Sequence, residues 1–138
     1  GLGCRSVSKI YLPKDYDLDI LFKQVYSWKD IINNSSYYNN YTYNKTIYLM
    51  SEEKFFDNGF LILKESTEIG SPIGAVFFEY YENDNTVIKS LKKYSEKIQC
   101  IVGKNIVENS VEFGNTQRPS LDDFADKINT LDFLLKLS

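Results

Sequence analysis

The sequence contains no histidine. That removes the commonest general base near neutral pH, the Ser–His and Cys–His pairs that activate nucleophiles, and most zinc sites. Covalent chemistry here has to rest on a side chain activated by a helix N-terminus, a neighbouring cation, or groups beyond these 138 residues. Cysteine is almost as scarce. Cys4 and Cys100 are the only two, too few for the disulfide framework of a small secreted domain, so a cytoplasmic location is expected. No stretch approaches the about 18 consecutive apolar residues that would suggest a membrane span. The first residues show no basic segment followed by an apolar one, so no signal peptide is visible. Strong charge of one sign is missing too. With 25% charged residues and a net charge of -3, there is no broad basic surface, and nucleic acid is not expected as a partner.

What is present suits one α/β domain spanning 1–138, with a mostly parallel or mixed sheet flanked by helices. Val7 to Leu12 reads as a short strand closed by Pro13. A helix follows from Asp15 or Tyr16, with Leu18, Leu21, Phe22, Val25 and Ile32 on its apolar face. Asp57-Asn58-Gly59 predicts a turn, and the apolar runs Phe60–Leu63 and Ala75–Phe78 predict strands covered on both faces. Asp84 to Lys97 reads as a helix and Ile98 to Val102 as a further strand, with Cys100 as a small core side chain within it. Ser120 is placed to cap a C-terminal helix carrying Leu121, Phe124, Ala125, Ile128, Leu131, Leu134 and Leu135.

Residues 33–44 have the most unusual composition, nine of the twelve being Asn or Tyr. One reading is an aromatic platform for a flat ring or a sugar, which makes this a binding or interaction module without catalysis. The other is a helix beginning after Asn33-Asn34-Ser35-Ser36 whose Tyr37, Tyr41 and Tyr48 pack on a neighbour.

Cys4 is the candidate nucleophile. It lies between Gly3 and a following strand, in Gly1-Leu2-Gly3-Cys4-Arg5-Ser6-Val7-Ser8. A thiolate attacks carbonyl carbon well, and an adjacent glycine lets substrate approach closely. A thiol near a chain end is also often incidental, and composition alone does not choose between the two.

The run Gly1-Leu2-Gly3-Cys4, then Ser8-Lys9-Ile10-Tyr11-Leu12, then Tyr16-Asp17 and Phe22 resembles the catalytic-cysteine region of the aldehyde dehydrogenase superfamily. Glu68-Ile69-Gly70-Ser71-Pro72-Ile73 is similar to that superfamily's Glu-Ile-Phe-Gly-Pro segment, with Gly70 and Ser71 standing where the motif has phenylalanine and glycine. A narrower resemblance, to bacterial acyl-CoA reductases of the luminescence type, extends along nearly the whole chain. It is carried by Gly3–Lys9, Asn40–Asn44, Ser71-Pro72-Ile73, Glu79-Tyr80-Tyr81, Phe113–Leu121 and Phe124–Leu134.

The resemblance implies a catalytic domain of the aldehyde dehydrogenase kind in which Cys4 accepts an acyl group from acyl-CoA and NADPH or NADH reduces the thioester to an aldehyde. It implies that Glu68 contacts the nicotinamide-side ribose. It also implies a nucleotide-binding half upstream of Gly1, so that this segment alone is folded but inactive. A homo-oligomer or acyl-transfer partner proteins are the partners to expect, and no metal is called for.

Overall fold

The computed structural model describes residues 3, 5–104, 107, 110–121, 123–124 and 128–137. The chain divides into two compact units, Gly1–Ser90 and Leu91–Ser138.

The first unit is built on a four-stranded sheet: β1 (Lys9–Pro13), β2 (Phe56–Asp57), β3 (Ile62–Glu65) and β4 (Ala75–Tyr81), in the order β1-β4-β3-β2. β1 and β3 both run parallel to β4, and β2 is antiparallel to β3. The sheet is therefore mixed, and the described part of the chain is a small mixed α/β structure. The two apolar runs form the central strands, because only a strand covered on both faces can bury consecutive apolar residues. Ile62 and Leu63 are fully buried, each contributing about 1.5–3 kcal/mol relative to exposure.

Alternation along the strands divides the core in two. Leu12, Leu63, Val76 and Phe78 meet Leu18, Leu21 and Phe22 of α1 (Leu18–Val25). Ile62 and Ala75 meet Tyr41 and Tyr48 of α2 (Ser35–Met50). Asp17 caps α1 by accepting from the Asp19 N–H at 2.9 Å, and Asn34 caps α2 by accepting from the Tyr37 N–H at 3.0 Å. The helix expected to reach Ile32 stops at Val25 and continues as a 3-10 helix, Tyr26–Asn33. Ile32 packs with Tyr41 and Tyr48, on the opposite sheet face from Leu21 and Phe22, so one straight helix cannot serve both contacts.

The Asp57-Asn58-Gly59 turn forms as the sequence predicts. Asp57 Oδ1 accepts from the Gly59 N–H, and Asn58 Oδ1 accepts from the N–H groups of Phe60 and Leu61. Those two residues belong to the turn, which is why β3 begins at Ile62 and not at Phe60. Gly74 has a structural requirement of its own. Its φ is +83°, and a Cβ there would lie 2.8 Å from Tyr41 Cα, so no side chain fits between β4 and α2.

α3 (Asp84–Lys93) is followed by a short 3-10 helix, Ser95–Lys97. In the second unit two expectations are corrected. Residues 98–102 are not a strand: Val102 makes a single parallel bridge to Val111, and Cys100 is a half-buried free thiol. An apolar run becomes a strand only where a sheet edge accepts it. The C-terminal helix is α4 (Thr130–Leu135), capped by Asn129 and not by Ser120. Asn129 Oδ1 accepts from the N–H groups of Leu131 and Asp132, whereas Leu121, beside Ser120, is fully exposed. The helix starts where a side chain satisfies its first free N–H groups; Ala125 of the expected helix lies outside the described residues.

Candidate functional site

β1 begins opposite Phe77 and β3 ends opposite Phe78, so the start of β1 and the end of β3 stand level across β4. Two segments meet there. Before β1, a turn is closed by the Ser6 N–H donating to the Gly3 carbonyl at 2.9 Å and the Gly3 N–H donating to Ser6 Oγ at 3.2 Å. After β3, residues 66–73 lead back to the start of β4, which runs parallel to β3.

Two contacts join them. Ser8 Oγ donates to the Ile69 carbonyl at 2.9 Å, across 61 residues of sequence. Lys9 Nζ donates to the Ser66 carbonyl. Lys9 Nζ also pairs with Glu79 Oε2 at 2.9 Å, and the lysine side chain is only 7% exposed. Ser66 holds the loop from within, its Oγ accepting from the Glu68 N–H at 3.1 Å while its own N–H donates to the Phe78 carbonyl. A lysine this buried needs both its carboxylate and its carbonyl partner, since an unpaired cation there is costly.

Cys4 itself lies outside the described residues. Glu68 is exposed, on the loop that Ser8 and Lys9 fasten. Its charge is felt at Tyr48. Burial pushes the Tyr48 hydroxyl up, Lys64 pulls it the other way, and Glu53 and Glu68 add to the rise. The sheet thus brings the segment bearing Glu68 beside the strand that follows Cys4.

Sequence reasoning missed the Ser8–Lys9 contacts. The available signal was the lysine inside an apolar strand, since such a lysine must find a partner. It also missed a second polar cluster, in which Tyr41 Oη donates to Asp57 Oδ1 at 2.7 Å and Lys45 pairs with Asp57. Burial first, then the hydrogen bond to Asp57, pushes the Tyr41 hydroxyl up to about 12. Burial alone would raise Asp57, but hydrogen bonds from Lys45, the Gly59 N–H and Tyr41 outweigh it and hold the carboxyl below its ordinary value. This cluster fastens α2 to the β2–β3 turn.

Of the tyrosines at 33–44, Tyr41 is buried and Tyr37 half-buried, with Tyr37 Oη donating to the Phe60 carbonyl at 2.7 Å. Tyr38 and Tyr43 are exposed. An open cavity of about 270 Å³ lies beside the 3-10 helix, lined by residues including Tyr26, Lys29, Asn33 and Asn58. The buried Asn58 Nδ2 has no partner. Among the described residues no group of three His, Cys, Asp or Glu side chains could hold a metal ion, and no helix is long and apolar enough to cross a membrane. No known protein family, curated protein or solved structure matches the chain.

Proposed function

We propose that the chain is the C-terminal catalytic segment of a cytoplasmic acyl-CoA reductase, with Cys4 as the acyl acceptor and Glu68 as a cofactor contact. The observation that carries this reading is the Ser8–Ile69 hydrogen bond. Two segments resembling the cysteine and glutamate regions of one superfamily are distant in sequence, and the sheet sets them side by side. A nucleophile and a cofactor contact that serve one reacting carbon need that proximity.

In this reading the Cys4 thiolate attacks the carbonyl carbon of the acyl-CoA thioester. The bond to the coenzyme A sulfur breaks, coenzyme A leaves as a thiolate that takes up a proton, and the acyl group is held on Cys4 Sγ. A backbone N–H near Cys4 would be one donor to the oxyanion formed on the way. The exposed Glu68 carboxylate suits ribose hydroxyls, which donate to it. The nicotinamide, when bound, supplies the hydride that takes the thioester to the aldehyde level. As the acyl carbon gains that hydride its bond to Sγ breaks, and the Cys4 thiolate is restored.

The reading calls for a nucleotide-binding half preceding Gly1, so its test uses the chain extended to its natural start. Incubated with a long-chain acyl-CoA and no reductant, that protein should gain one acyl group in its intact mass, at Cys4. Cys4→Ser should remove the adduct and aldehyde formation together. An adduct that survives Cys4→Ser, or no adduct on the parent protein, defeats the proposal.

A further inference from the structure

Building on that reading, we infer that Ser8 and Lys9 are positioning residues that clamp the Glu68 loop to the strand following Cys4, and so serve hydride transfer and not acylation. The division follows from where the clamp acts. Both side chains leave the start of β1, four and five positions after Cys4, and both end on main-chain carbonyls of the facing loop, Ile69 and Ser66. Carbonyl recognition fixes the path of that loop whatever side chains it carries. The loop's other anchors hold its two ends: the Ser66 N–H donates to the Phe78 carbonyl at its start, and near its close Ser71 Oγ donates to the Ala75 carbonyl and Asn44 Nδ2 to the Ile73 carbonyl. Glu68 lies between the two clamped carbonyls and is itself exposed.

Lys9 is the stiffer half of the clamp. It is nearly buried and held from two sides, by Glu79 on β4 and by the Ser66 carbonyl, and its ammonium stands 5.2 Å from the Tyr11 ring centre. Ser8 is the lighter half, a single hydroxyl reaching the Ile69 carbonyl next to Glu68. Its own carbonyl accepts from the Phe77 N–H at 2.9 Å, so the β1 backbone stays fixed to β4 when the side chain is altered. Acylation needs Cys4 and the thioester. Reduction needs in addition a cofactor held at the correct distance from the acyl carbon, where a displacement of about 1 Å costs up to about 100-fold.

The experiment follows the two half-reactions separately in the natural full-length chain. Acylation of Cys4 is timed by intact mass with acyl-CoA alone, and reduction by NADPH oxidation in single turnovers of the acylated protein. Ser8→Ala should slow reduction about 3- to 10-fold, raise the NADPH concentration required, and leave the acylation rate within about 2-fold. Ser8→Thr, which keeps the hydroxyl, should restore reduction. Lys9→Met should act in the same direction and more strongly, with Ser8→Ala as the variant that reads out if Lys9→Met fails to fold. Equal loss of both half-reactions in Ser8→Ala, or no loss in either, overturns the clamp while the reductase reading stands. Absence of acylation in the parent protein overturns both.

Discussion

The two faces of the sheet are packed by different chemistry. Against α1, the sheet presents Leu12, Leu63, Val76 and Phe78, side chains with no polar atom to satisfy. Against α2, it meets Tyr41 and the partly buried Tyr37, whose hydroxyls are committed to Asp57 and the Phe60 carbonyl. An apolar face gains stability from area and is indifferent to pH. A tyrosine face gains less net energy per contact but fixes one arrangement, because a misplaced helix would strand buried hydroxyls. The first face contributes through apolar area alone, while the second adds the buried Ile62 and Ala75 and also sets the position of α2.

The largest effect is expected on the apolar face. Leu63→Ala should lower unfolding free energy by about 2–5 kcal/mol, measured by urea titration, with the same loss at pH 5 and pH 8. A loss that varied strongly with pH would undo the contrast between the faces. Next is Gly74→Ala, which presses a methyl group against the α2 backbone in a left-handed conformation. The expected cost is about 1–3 kcal/mol, and a neutral result would mean that α2 is free to shift.

The smallest effect separates the faces most sharply. The Tyr41 hydroxyl is raised from 10.0 to about 12 and Lys45 is raised too, so their contributions are complete below their unfolded values and are lost as pH climbs through the folded ones. Asp57 is lowered, so its contribution is present above its ordinary 3.8 and is lost as pH falls through the depressed value. Tyr41→Phe should cost about 1–2 kcal/mol at pH 7, since Asp57 keeps Lys45 and the Gly59 N–H. It should also flatten the fall in stability between pH 10 and 12 that the raised Tyr41 hydroxyl predicts for the parent protein. An unchanged alkaline limb would place the pH dependence elsewhere.

Most of the first unit was readable from local chemistry. Pro13 closing β1, the Asp57-Asn58-Gly59 turn, and the Ile62-Leu63 and Ala75–Phe78 runs all act within a few residues of themselves. Tyr41 and Tyr48 were readable as core by their seven-residue spacing along one helix face. What was hidden depends on partners. Residues 98–102 have strand composition but only one bridge, and Leu121, Phe124 and Ile128 of the expected apolar stripe lie outside any helix. Lys9 is held by Glu79 and the Ser66 carbonyl, partners 70 and 57 residues away that no local pattern names. The order of the strands, which creates the meeting of the two loops, has no local signature at all.

The pairing of β1 with β4 acts as a ruler for that meeting. Lys9 stands opposite Phe77, and Glu65, the last residue of β3, opposite Phe78. Sliding β1 by one residue would carry the Gly3–Ser6 turn about 3.3 Å along the sheet and invert which side chains face α1, turning Lys9 away from Glu79. The distance between the two loops is therefore kept by main-chain bonds inside the sheet, and the loops inherit it. Their sequences are left free to vary as long as nothing is inserted or deleted in the strands beneath them.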